Sequence, residues 1–217
     1  MQSRHYALFA NVAGTFFFSA LALHAANIGY GNLQKYPLTN QTFLYWLVTV
    51  LNLCFLGFIA VLFFVRSRPV PQETNWGATI MAYVGSFIPF VMINSVPSPF
   101  GSQRIYVSSL LLAVGFAGQM WAVLKLGKSF SIVPAARKLV VSGVYKRWRH
   151  PLYFFEMMSF GGTCIYFGNA QAALIWSCFV IVQMIRAGKE EEVLGRVFPE
   201  YATYKAQSGG IFPRIWK

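Results

Sequence analysis

Hydrophobic residues in this chain come in long unbroken runs, not in the strict alternation of a half-buried strand or the narrow stripe of a surface helix. Four runs, at about residues 6–28, 43–65, 76–94 and 106–126, each reach the length that a helix needs to cross a bilayer. The connectors between them are rich in turn formers, the last with Pro97, Pro99 and Gly101. Two shorter runs follow, at residues 151–167 and 172–185, joined by Gly168-Asn169, a dipeptide suited to a tight turn. Each is short for a full span. They predict either two tilted helices or a helical hairpin that dips in and returns, and in both cases the flanking polar segments share one membrane face. From Glu190 the pattern changes: Val193, Leu194 and Val197 recur at helical spacing among charged residues, and Tyr201 and Tyr204 continue that face. This predicts an amphipathic helix that Pro199 kinks or divides.

The expected fold is an all-α integral membrane protein, a bundle of five or six transmembrane helices with a cytosolic amphipathic C-terminal helix. The 217 residues predict one membrane domain, with N-terminal helices in 1–105 and the cofactor-binding and catalytic half in 106–217. Composition agrees, since 56% of residues are hydrophobic, 18% aromatic and only 11% charged, unlike a soluble domain. The apolar part of the N-terminal stretch is too long for a signal sequence and lacks a small-residue cleavage site, so it is read as the first transmembrane helix.

Charge then sets the orientation. With the N-terminus inside, sixteen of the eighteen Lys and Arg residues fall on the inner side, leaving only Lys35 and Arg104 outside. That bias predicts a multi-pass protein with both termini cytoplasmic. It also accounts for the net charge of +12 without nucleic acid, because the basic residues never gather in a solvated domain of their own. Cys54, Cys164 and Cys178 lie inside apolar runs with no paired short spacing, so packing is expected of them and no metal set.

The candidate chemistry is concentrated in two stretches. Of only six acidic residues, three stand together as Glu190, Glu191 and Glu192. Their natural counterpart is the basic and aromatic segment from Ser142 to Tyr153, and the two are expected to meet in one polar site at a membrane edge. Arg186 and Glu190 are four apart and share a helical face, where a simple helix-end ion pair is the ordinary explanation. Three consecutive glutamates go further and make a local negative site that suits a cationic ligand. His150 stands before Pro151 at the start of an apolar helix, where unpaired backbone N–H groups favour an anion. Tyr145, Trp148 and Tyr153 are able to wall a flat base or face a cation, although packing is the default for any one aromatic here. Glu156 is an ionisable group at membrane depth, a residue type that points to function or pairing. A carboxylate for an ammonium, N–H groups for a carboxylate, aromatic walls and an arginine for a second anion together suit S-adenosylmethionine. NADPH would suit the basic groups but not the glutamates.

The stretches Val140-Val141-Ser142-Gly143-Val144-Tyr145 and Arg149-His150-Pro151-Leu152-Tyr153, then Arg186 with Glu190-Glu191 and a tyrosine-bearing C-terminal helix, resemble the isoprenylcysteine carboxyl methyltransferases and related membrane phospholipid methyltransferases. The resemblance covers roughly the C-terminal 90 residues. It implies an enzyme that binds S-adenosylmethionine at the cytosolic face and takes an amphipathic or prenylated acceptor from the lipid bilayer, with carboxylate O-methylation the leading reaction. By the same resemblance, cofactor contacts fall on Leu139, Val140, Tyr145, His150, Pro151, Leu152, Tyr153 and Glu190, and Arg186 faces the acceptor. The competing readings are a sterol- or steroid-type membrane reductase using NADPH, suggested by the Tyr153 to Glu156 spacing, and a non-catalytic membrane scaffold of the same fold.

Overall fold

Every regular element among the described residues is a helix. The computed structural model describes residues 2–39, 42–65, 85, 104–131 and 138–214. It divides into two compact units, Met1–Arg68 and Pro69–Lys217.

The first unit is a pair of helices, α1 (Gln2–Lys35) and α2 (Phe43–Val65). Phe18 and Phe63 pack with ring centroids 5.3 Å apart. The turn between the helices is closed by Thr42, whose Oγ1 donates to Pro37 O at 2.8 Å and accepts from Thr39 N at 2.8 Å. Trp46 Nε1 donates to Tyr36 O at 3.2 Å, so polar groups at this end are met locally.

The second unit contains α3 (Arg104–Leu126), α4 (Pro151–Phe167), α5 (Ala170–Val197) and α6 (Tyr201–Gln207). Helices α3 and α4 approach closely because small residues line their seam, a device suited to helices that have no hydrophobic effect to drive them together in lipid. A Cβ on Gly115 would stand 2.6 Å from Ser159 Cβ and 2.8 Å from its backbone, and one on Gly162 would stand 2.8 Å from Ser108 O. The same seam carries a polar clasp, with Gln119 Nε2 donating to Ser159 Oγ at 2.8 Å and to Phe155 O at 3.2 Å.

Gly168 and Asn169 do turn the chain between α4 and α5. Gly168 ends α4 in the left-handed region at φ +59°, where a side chain would be strained, and its N–H donates to Cys164 O at 2.9 Å. Asn169 caps α5 by accepting from Ala172 N at 2.8 Å. The two helices share a core of Met157, Phe160, Cys164, Ala172 and Phe179, in which the Phe160 and Phe179 rings meet edge to face at 5.0 Å. The buried Cys164 is one of three free cysteines among the described residues.

Among the described residues, four helices are long and apolar enough to cross a membrane: Asn11–Leu33, Tyr45–Val65, Arg104–Ser129 and Ala170–Val197. The expected span at 76–94 lies outside the described residues, Gly85 excepted. The structure differs from expectation in α5. The apolar run ending near residue 185 does not end its helix, which continues through Arg186 and the glutamates to give 28 residues. A change of polarity does not break a helix, and no proline intervenes before Pro199, where α5 gives way to the short α6.

The seam predicts a contrast between two glycines. Gly115→Ala should destabilise the detergent-solubilised protein by about 1–3 kcal/mol through overpacking against backbone. Gly188→Ala, with nothing within 4 Å of the added carbon, should be neutral or slightly stabilising. Thermal unfolding of both variants checks this, and equal melting temperatures would refute the close seam.

Candidate functional site

The acidic run lies in the second turn from the C-terminal end of α5, and the basic segment leads into the N-terminus of α4. The structure brings them into direct contact. Glu191 Oε1 accepts from Arg149 Nε at 2.8 Å and pairs with His150 Nε2 at 3.0 Å, while its Oε2 lies 2.7 Å from Lys205 Nζ on α6. The Glu191 side chain is only 15% exposed against 49% for Glu192, whose pair with Lys189 is a surface i,i+3 contact. The three glutamates therefore divide: Glu191 ties segments together, Glu192 meets solvent, and Glu190 faces the aromatic wall.

The basic segment is shaped by backbone as well. Ser142 leads into a helical turn at Gly143–Lys146, which Gly143 enters at φ +61°. Residues 147–150 then run beside 209–210 as a short parallel bridge. Arg149 N–H donates to Gly209 O at 2.9 Å, His150 N–H to Gly210 O at 3.2 Å, and Gly209 N–H to Arg147 O at 3.0 Å. Arg149 Nη1 adds bonds to Lys205 O at 2.9 Å and Ser208 O at 2.6 Å, and Trp148 Nε1 donates to Ile211 O at 2.7 Å. The Ser208-Gly209-Gly210 stretch is a strap that holds the basic segment in place.

Tyr153, in the first turn of α4, is the centre of the cluster. Its hydroxyl donates to Glu190 Oε2 at 3.0 Å, the His150 ring stacks on it at 5.5 Å and 18°, and the Arg186 guanidinium lies 5.0 Å from its centroid. Such a cation over a desolvated ring is worth about 2 kcal/mol. Arg186 and Glu190, one turn apart on α5, thus converge on one tyrosine of α4. Behind them Arg186 Nη1 donates to Gln183 Oε1 at 2.6 Å, and Gln183 Nε2 donates to Glu156 Oε2. The partner of Glu156, which sequence left unnamed, is this glutamine.

His150 has one nitrogen committed. With Nε2 bonded to a carboxylate that only accepts, Nε2 carries the proton, and Nδ1, 3.9 Å from Glu190 Oε2, faces the same space as that carboxylate. In the neutral ring Nδ1 is an acceptor, which suits an ammonium better than the carboxylate expected of it.

Tyr145 is buried beside this wall, and its hydroxyl has no hydrogen-bond partner among the described residues. Burial, then the Glu190 carboxylate, raises its pKa well above the phenol range, so it is a neutral donor. The Tyr201 hydroxyl on α6 is likewise buried and unmet among the described residues. Buried hydroxyls left without partners are uncommon and costly unless a ligand or water meets them. Pro151 and Leu152 are buried at the helix start, and the apolar Leu139 and Val140 lie half-buried in irregular chain, outside the polar cluster. Trp148 packs against Phe154 and Phe155 at 5.1 and 5.5 Å and serves the strap. Sequence reading gave Gln183 and Lys205 no role. A glutamine inside an apolar run was the one available signal for the first, and nothing marked the second.

Glu191→Ala should remove the carboxylate shared by Arg149, His150 and Lys205 and cost about 3–5 kcal/mol, the range for breaking a buried pair from one side. Glu192→Ala should change stability by less than about 1 kcal/mol. Thermal unfolding in detergent compares them, and equal effects would refute the division of the acidic run.

Among the described residues no group of three or more His, Cys, Asp or Glu side chains is placed to hold a metal ion. Comparison with known proteins shows what the segment carrying the cluster is similar to. Residues 103–201 match the family model described as phospholipid methyltransferase. The cobalt-zinc-cadmium resistance protein CzcN of Cupriavidus metallidurans is 29% identical over 130 residues, covering 54% of this chain and 56% of that protein. The nickel-cobalt-cadmium resistance protein NccN of Alcaligenes xylosoxydans xylosoxydans is 27% identical over 118 residues, covering 51% of this chain and 53% of that protein. The chain thus spans about half the length of the curated relatives it matches. Residues 103–201, the span that supplies Tyr145, His150, Tyr153, Arg186 and Glu190, are the part of the chain similar to the phospholipid methyltransferase family.

Proposed function

We propose that this membrane protein transfers a methyl group from S-adenosylmethionine to the carboxylate of a lipid-like or prenylated acceptor at the cytosolic membrane face. The observation that carries the reading is the convergence of Arg186 and Glu190 on Tyr153, which sets a cation and an anion one helical turn apart on a single aromatic wall. The donor set fits the cofactor. Glu190 Oε2 and His150 Nδ1 face one space and suit an ammonium, while the Tyr145 and Tyr201 hydroxyls are buried donors in need of acceptors.

Bound S-adenosylmethionine supplies a methyl on a sulfonium, which an acceptor oxygen takes to leave a neutral thioether. The chain's own work is orientation. A carboxylate is already ionised at neutral pH, with an ordinary pKa near ~4, so no general base is required. Holding the acceptor oxygen in line with the methyl contributes about 7–11 kcal/mol in favourable cases. Arg186 serves this role, because its charge is already shared with Gln183 and the Tyr153 ring and it orients a carboxylate without fully neutralising it.

The commitments of the other carboxylates favour a carboxylate acceptor over a hydroxyl or amine, which would need a proton acceptor. Both Glu191 oxygens are held by cations, and Glu156 is held by Gln183. Glu191 is therefore a poor base, and its place is to fix His150 and Arg149.

The decisive assay is labelled methyl transfer to lipid extracts and prenylcysteine mimics with mass analysis of the product. Calorimetry should show binding of S-adenosylmethionine and none of NADPH; the reverse would favour a reductase, and neither binding a scaffold. Arg186→Ala should abolish transfer while leaving cofactor affinity within about threefold, and Glu190→Gln should weaken cofactor binding about tenfold or more. An active Arg186→Ala enzyme, or one that loses cofactor and transfer together, would refute this division of roles.

A further inference from the structure

Two sets of basic residues border the cluster, and they are met differently. Arg149, Lys189 and Lys205 each lie within 3.0 Å of a carboxylate oxygen of Glu191 or Glu192. Lys125, Lys128, Lys146 and Arg147 are exposed, and among the described residues none of these four side chains has an ion pair or a hydrogen bond. The sequence supplies the reason, since no acidic residue stands between Glu73 and Glu156. The four are gathered all the same. The end of α3 packs against the Gly143–Lys146 turn. A Cβ on Gly143 would lie 3.3 Å from Lys125 Cδ and 3.5 Å from its Cε, so the missing side chain is what lets the lysine stem cross that turn. Lys146 closes the turn and Arg147 follows it, while Lys128 comes just after Gly127, which leaves α3 at φ +51°. Like charges held together repel, and the cost is relieved where an anion from outside meets them.

Depth decides which anion that is. Trp121 and Leu124, 46% and 55% exposed, lie in the last turns of the apolar span Arg104–Ser129. Trp121 is one turn before Lys125 and shares its helical face. An exposed indole on a membrane helix belongs at the boundary between hydrocarbon and headgroups. The cations thus stand at the level of lipid phosphates, with apolar surface beside them for acyl chains, and the lysine stems carry their ammonium groups out toward that level.

We propose that Lys125, Lys128, Lys146 and Arg147 form a binding site for the anionic headgroup of a phospholipid in the leaflet that borders this end of α3. The site is separate from the cluster of Glu190 and Tyr153 and does not depend on the transfer reaction. A lipid held there ties the turn that carries Tyr145 to the headgroup layer.

The test counts the lipids retained by the purified full chain, by native mass spectrometry from micelles doped with equal amounts of phosphatidylglycerol and phosphatidylcholine. The two probes share a phosphate and acyl chains and differ in net charge. The wild-type protein should favour phosphatidylglycerol about tenfold or more. Lys125→Gln/Lys146→Gln should reduce that preference about fivefold or more, because each basic residue near an anionic surface adds its own share. Lys128→Gln/Arg147→Gln should do the same, and it serves as the test where the first pair does not fold. Lys125→Arg/Lys146→Arg keeps the charge and should keep the preference. Lys189→Gln/Arg196→Gln removes equal charge from α5 and should leave the preference within about twofold of wild type.

A wild-type protein that retains the two lipids equally overturns the proposal. An equal fall in the α5 variant overturns it as well, because net charge would then explain the preference without a site. So does glycerol phosphate competing as well as the lipid, which would make this a site for a soluble anion and not for a membrane surface.

Discussion

One carboxylate holds the site together. Glu191 is shared among Arg149, His150 and Lys205, which come from the segment before α4 and from α6, with Arg149 and Lys205 56 positions apart in sequence. Charges taken out of water cost several kcal/mol each, and they are kept only where geometry and further hydrogen bonds compensate. Here the compensation is ample, since Arg149 also serves the Lys205 and Ser208 carbonyls. With Glu191 in place, the His150 ring is fixed on Tyr153, Tyr153 is presented to Arg186, and Glu190 is left facing the same space as His150 Nδ1.

Around this tie the unit uses two kinds of close approach. On the apolar side, glycines and serines let α3 and α4 meet, and Gln119 bonds across the same seam to Ser159 and Phe155 O of α4. On the polar side, the 208–210 strap supplies backbone partners to residues 147–150, which would otherwise be irregular chain with unmet groups. The cluster is therefore mounted between a helix seam and a backbone strap. That is the arrangement expected of groups that must keep a fixed geometry.

Much of the fold was legible because its signals are local. Run length marked the helices that lie among the described residues, Gly168-Asn169 the turn and Pro199 the division of the last helix, and the family match covers most of the segment whose motifs carried the resemblance. The extent of α5 was misjudged because hydropathy reports the solvent around a helix and not its hydrogen bonds. The strap was missed for a different reason. It is made by backbone groups of residues about sixty positions apart, such as Arg149 with Gly209, and glycines and a serine advertise a turn but not its destination. Gln183 was invisible for a third: one amide in an apolar run has no meaning until the facing helix supplies Glu156.

The two-residue turn at Gly168-Asn169 has a consequence for how such a chain enters a bilayer. A helix carrying Arg186 into hydrocarbon alone would bear an uncompensated charge, at a cost of several kcal/mol. Because the turn is so short, α4 and α5 are bound to lie side by side, and the bonds from Arg186 to Gln183 and from Gln183 to Glu156 tie the one helix to the other. The cation is thereby met by polar groups that its own neighbouring helix brings with it.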